Sequence, residues 1–143
     1  MPLTRITLRE DTPAATVRAI ADGVHEAMTT VIGIPPDDRF QIIERRSADE
    51  LIFDPHYLGV ARRNVAFLQI TLVRGRPDAL KQRLYHEIAQ RLAAVGIRPE
   101  DVVITLVEND RVDWSVGNGQ AQLLDAELLA RHGISAVTPG ALH

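Results

Sequence analysis

Pro2 stands where loss of the initiator Met, which a small penultimate side chain permits, would make it a terminal secondary amine on a rigid ring. Such a group can serve as acid, base or nucleophile. Other side chains have chemistry to set beside it. PPDDR contributes Asp37 and Asp38, RGR contributes Arg74 and Arg76, and Asp113 precedes Trp114, the single tryptophan of the chain. An amine, a carboxylate, two guanidiniums and an indole on one rim would suit a small carboxylic acid, which two arginine forks can grip. Each motif also has a plainer reading. Met-Pro can cap a strand edge, PPDDR can be a turn with Asp38 capping the backbone, and Trp114 can anchor a core or an interface. RGR reads either as a solvated turn or as an extended Arg-x-Arg with both guanidiniums on one side.

Other chemistries are excluded or unsupported. With no cysteine there are no disulfides, thiolate metal sites or cysteine nucleophiles. His25 and His86 lie beside the apolar stripes of helical segments, His56 falls in a loop, and His132 and His143 are near the tail. None has HExxH or comparable metal spacing, and neither a GxSxG elbow nor a Walker loop occurs, so neither metal nor cofactor is expected. VGNGQ, residues 116–120, reads as a hairpin turn rather than a phosphate cradle. A net charge of −3 without a basic tract argues against nucleic acid. No run reaches the ~18 apolar residues of a membrane helix, and the N-terminus lacks the regions of a signal peptide, so a cytoplasmic protein without membrane attachment is expected.

The elements that must position these groups come from an internal repeat. Ile6-Thr7-Leu8 matches Ile70-Thr71-Leu72, Gly33-Ile34 matches Gly96-Ile97, and Pro36 and Asp38 match Pro99 and Asp101. Thr12 as N-cap with Pro13 at N1 predicts a helix through Val17, Ile20, Val24 and Met28 that Gly33 ends. Pro77 starts a second helix with Leu80, Leu84, Ile88, Leu92 and Val95 on one stripe, closed by Gly96. Strands are predicted over Leu3–Leu8, Phe40–Ile43, Ala66–Val73 and Val102–Val107. The 143 residues thus read as a single α/β domain. Its duplicated β-α-β units cover about 2–45 and 66–109, joined by a connecting segment 46–65 and followed by a C-terminal segment 110–143. Crossover helices make the strands of each unit parallel, giving a four-stranded mixed sheet with two helices on one face. VAFLQITLV and VVITLV are apolar on both faces, so the uncovered face is expected to pack against another subunit. Ser47 to Glu50 is a capping box ahead of a segment placed as a flap over the site. The tail beyond Leu128, ending SAVTPGALH, is expected to be ordered only by a neighbour.

If the two units lie side by side about a pseudo-twofold axis with antiparallel strands, Pro2, Asp37-Asp38, Arg74, Arg76 and Asp113-Trp114 share one edge of the sheet. With GIPPDDRFQ, RGR and VENDRVDWSVGNGQA, the chain resembles the tautomerase superfamily. Within it, the resemblance over roughly residues 2 to 128 is to the malonate semialdehyde decarboxylase family. That resemblance implies a homotrimer in which Pro2 is the catalytic proline, Asp38 its acidic support, and Arg74 and Arg76 the substrate-binding arginines. Trp114 and Val116 would form the apolar wall. Val116 stands where the family often has Phe, a departure that enlarges the pocket. The implied activity is cofactor-independent decarboxylation of a small 3-oxo acid. Keto-enol tautomerisation, or a hydratase or dehalogenase reaction on unsaturated acids, would use the same proline. Retention of Met1 would make the Pro2 nitrogen a non-basic amide and leave a trimeric binding protein of the same fold.

Overall fold

The computed structural model describes residues 1–134. Both repeats fold as strand, helix, strand: β1 (Pro2–Arg9), α1 (Ala14–Ile32) and β2 (Gln41–Arg46), then β3 (Ala66–Val73), α2 (Asp78–Ala94) and β4 (Val102–Asn109). A short α3 (Ala126–Arg131) follows. The strands form one sheet in the order β2-β1-β3-β4. β1 is parallel to β2 and β3 to β4, while the two repeats meet antiparallel, Pro2 opposite Leu72 and Thr7 opposite Phe67. The starts of β1 and β2 therefore share an edge with the ends of β3 and β4, as the supposed pseudo-twofold arrangement places them.

The helical stripes do the covering. Val17, Ile20, Val24 and Met28 of α1 and Leu80, Leu84, Ile88 and Leu92 of α2 are buried with Ile6, Leu8, Leu68, Ile70 and Leu72 of the sheet. Full burial of each large aliphatic side chain is worth about 1.5–3 kcal/mol. The opposite face is less apolar than the strand sequences suggest. Leu3, Phe67, Val103 and Val107 alternate there with Arg5, Gln69 and Thr105, and Arg5 Nε lies 3.4 Å from Glu44.

Some local details differ from the sequence reading, each for a visible reason. Thr12 does not cap α1: its hydroxyl donates to Arg9 O (2.8 Å) to close the turn out of β1, and Pro13 takes the cap position. β2 begins at Gln41 rather than Phe40 and continues to Arg46 instead of stopping at Ile43. Glu44, Arg45 and Arg46 pair with Thr7, Leu8 and Arg9, and the Arg45 guanidinium reaches the carbonyls of Glu10 and Thr12. Backbone pairing overrides the polar side chains there. Gly33 (φ 69°) ends α1 in the left-handed region, where its N–H donates to Met28 O.

The connecting segment forms its capping box, Glu50 Oε1 accepting from both the Ser47 N–H and hydroxyl. It does not cover the sheet edge that carries Pro2. Asp101, the repeat partner of Asp38, is buried and accepts from the Arg63 N–H (2.9 Å), while Arg98 donates to Ala61 O, so the segment is fastened at the other edge. The tail expected to need a neighbour starts as α3, capped by the Asp125 carboxylate on the Leu128 N–H (3.0 Å). Its residues 135–143 lie outside the described residues.

Candidate active site

The acid is placed by the end of α1. After Gly33, Pro35 and Pro36 each fix one backbone dihedral, and the Asp38 N–H donates to Pro35 O (2.9 Å), making a tight turn. His25 holds this turn from below. Its Nε2 is 2.9 Å from Pro36 O; a carbonyl only accepts, so Nε2 carries the proton. His25 thus does more than flank an apolar stripe: it ties the loop bearing Asp38 to the helix beneath it.

The N-terminal amine meets this acid. Met1 N lies 3.4 Å from Asp38 Oδ2, with both groups largely buried. Pro2 is buried as the first residue of β1, so removal of Met1 moves the amine one residue inward at the same sheet edge.

The two arginines of RGR diverge. β3 stops at Val73, and Gly75 turns the chain at φ 126°, so the motif is not the extended strand that would align its guanidiniums. Arg76 is buried, donating from Nη1 to Val73 O (3.0 Å). Arg74 is exposed and bonded through Nε to Asp110 Oδ1 (2.6 Å). The neighbour of Asp110 in sequence, Arg111, lines the cavity that Arg74 does not.

The turn after β4 is held by its own side chains. The Asp110 N–H donates to Asp113 Oδ2 (2.8 Å), and Trp114 Nε1 donates to Asn109 Oδ1 (2.7 Å). Trp114 ties the turn back to β4 and is not part of the cavity lining. Val116 does line it, its N–H donating to Gln122 Oε1 (3.0 Å), while Gln122 Nε2 donates to Gly117 O. VGNGQ is therefore a turn closed by a glutamine and not a hairpin between strands, with Asn118 at φ 57° between two positive-φ glycines.

Met1, Asp38, Arg76, Arg111 and Val116 share a cavity of about 300 Å³. Burial holds the Met1 amine below its ordinary pKa. Asp38 pulls it up, while Arg76 and Arg111 press it further down. Burial pushes the Asp38 carboxyl above its usual range, against the pull of the amine, and draws the Arg76 guanidinium down. Among the described residues, Asp38 Oδ1, Arg76 Nε and His25 Nδ1 are three of four buried side-chain N or O atoms lacking a hydrogen-bond partner. Buried groups are ordinarily paired. Asp38 and Arg76 thus keep unused acceptor and donor capacity in the wall of the cavity. No group of three or more His, Asp or Glu placed to hold a metal occurs among the described residues, and no helix there is long and apolar enough to cross a membrane.

Arg111 and the cavity-lining residues from 122 to 134 were not singled out from sequence. Arg111 had a signal, since DRVDW directly follows β4 on the rim that carries Pro2.

Comparison with known proteins gives one answer. Two family models, each described as tautomerase enzyme, match residues 38–117 and 2–61. The chain is 36% identical over 127 residues to the probable tautomerase YusQ of Bacillus subtilis (strain 168), covering 87% of this chain and 100% of that protein. Its fold superposes on FG41 malonate semialdehyde decarboxylase inhibited by 3-bromopropiolate with a TM-score of 0.84 and 38% identity, over 87% of this chain and 96% of that one. A second malonate semialdehyde decarboxylase structure gives a TM-score of 0.81 and 31% identity, over 87% and 98%. With sequence relatives and solved folds in agreement over most of its length, this chain belongs to the tautomerase family.

Proposed function

We propose that the protein is a cofactor-independent decarboxylase of a small 3-oxo acid of the malonate semialdehyde type, working through the Pro2 amine after Met1 is removed. The observation that carries this reading is the N-terminal amine 3.4 Å from Asp38, in a cavity shared with the buried Arg76. Asp38 favours the ammonium form. The Pro2 ammonium then donates to the substrate carbonyl oxygen, while Arg76 and Arg111 hold the carboxylate out of the carbonyl plane. The bond between C2 and the carboxyl carbon breaks, its electron pair forms the C2–C3 double bond of an enol as the carbonyl oxygen takes the proton, and CO2 leaves. Protonation at C2 yields the aldehyde. Orientation and a fixed cationic donor are the two contributions such a reaction needs. Arg74, the other arginine of the motif, acts here through Asp110 by fixing the turn that presents Arg111. Trp114 supports that turn, and Val116 forms part of the substrate wall.

A second reading, keto-enol tautomerisation with neutral Pro2 as base, is favoured by the downward pull of burial on the amine. A proton NMR time course with malonate semialdehyde and phenylenolpyruvate separates the two. Acetaldehyde supports decarboxylation, whereas ketonisation alone sinks it in favour of the second reading.

The pH dependence carries a sign. In decarboxylation the ammonium is the active form, so activity falls as pH rises through the amine pKa. Asp38→Asn removes the carboxylate that raises this pKa, so the falling limb of kcat/KM is expected to move to lower pH. A limb that stays in place would overturn the role given to Asp38.

The homotrimer places the open sheet face, with Leu3, Phe67, Val103 and Val107, against its neighbours. Light scattering is expected to give the mass of three chains. A monomer would refute the assembly.

A further inference from the structure

Asp38, Arg76 and Arg111 act on the N-terminal amine at one part of the cavity, and apart from Gln122 and His132 the remaining side chains of its wall are apolar. Ile34, Val116, Leu123, Leu128 and Leu129 supply much of it. Four of these come from the segment after β4, which takes no part in the repeat. Leu129 is buried, only 5% exposed, yet lies outside the main core formed by the sheet and its two helices. The helix that carries it, α3, is fixed by the Asp125 cap at one end and by the Ile134 N–H donating to Leu129 O (2.8 Å) at the other.

Size and chemistry disagree with a bare three-carbon acid. A volume of about 300 Å³ is room for about ten waters at their liquid share of ~30 Å³ each. That is at the lower end of the range for pockets that enclose drug-sized ligands. The Met1 side chain occupies part of the lining, so its removal enlarges the apolar space. An oxo acid of three carbons would fill the cationic end and leave the aliphatic end unused, whereas an apolar substituent buried there gains from every methylene.

We infer that the preferred substrate is an oxo acid carrying an apolar tail of about four to six carbons, its carboxylate on Arg76 and Arg111 and its tail against Leu128 and Leu129 of α3. This rests on the site proposed above and names its substrate class.

The test measures binding without turnover. Unreactive saturated monocarboxylates from acetate through butanoate and hexanoate to octanoate are titrated into protein whose loss of Met1 is verified by intact mass. Affinity is expected to rise about two- to fourfold per added methylene up to the length that fills the cavity. Leu128→Trp, which narrows the aliphatic end, is expected to flatten the series beyond butanoate. Affinity independent of length in the unaltered protein would overturn the tail site whether or not the protein decarboxylates. A rising series alongside Pro2→Ala protein of undiminished turnover would instead uphold the tail site and remove the proline mechanism.

Discussion

Pro2→Ala, in protein whose loss of Met1 is confirmed by mass, is expected to lower turnover of a 3-oxo acid by on the order of 10²–10⁴-fold, the usual contribution of a positioned acid or base. Alanine retains a terminal amine, so the loss isolates what the ring provides: a secondary amine on a nitrogen whose rotation is fixed. Pro2 opens β1 opposite Leu72, and alanine keeps a backbone able to make that pairing. Size-exclusion behaviour and thermal unfolding should therefore be little altered. Undiminished turnover would remove the proposed chemistry altogether. Protein that retains Met1 should lose turnover for a different reason, because its Pro2 nitrogen is an amide and its amine is carried one residue earlier.

Arg76→Ala is expected to reduce kcat/KM by about 10²–10³-fold, the scale for removing one preorganised charge-stabilising donor. Both KM and kcat should suffer, since the guanidinium binds the carboxylate and fixes its angle to the carbonyl. Arg76→Lys restores the charge without the fork and should recover only part of the loss. Stability is expected to behave differently. Arg76 is a buried cation whose Nε has no partner, and its desolvation opposes folding, so denaturant midpoints should hold or rise. Arg74→Ala supplies the contrast. Its guanidinium is 57% exposed and bonded to Asp110, and an effect within tenfold is expected. A larger loss in Arg74→Ala than in Arg76→Ala would mean that the arginine in the cavity has been assigned wrongly.

The sheet was legible because its information is redundant. The repeat states the strand-helix-strand unit twice, and Gly33, Pro77 and Gly96 mark helix ends by local conformational limits that tertiary packing seldom overrides. The antiparallel join of β1 to β3 rested on a supposed pseudo-twofold axis, with which the observed pairing agrees. Thr12 was misread because one hydroxyl can serve a turn as well as a cap, and only the chain leaving β1 decides between them. The same kind of ambiguity governed the site. Pro2 and Asp38 stand on strand and loop starts that the repeat positions, so their approach could be reasoned out. The separation of Arg74 from Arg76 depends on one dihedral at Gly75, which no residue pattern specifies. Arg111 and the aliphatic wall were hidden because they belong to the unrepeated segment, where there is no second copy against which to read the first.

Asp38 and Asp101 occupy matching places in the two halves but have parted company. One faces the amine, and the other fastens the connecting segment through the Arg63 N–H. Duplication thus created a spare acid at the far edge, free to become a rivet. The consequence is a division of labour that bears on how the protein can evolve. Alterations at Asp38 therefore leave the fastening of the connecting segment untouched, since that contact is made at the opposite edge by a residue outside the cavity.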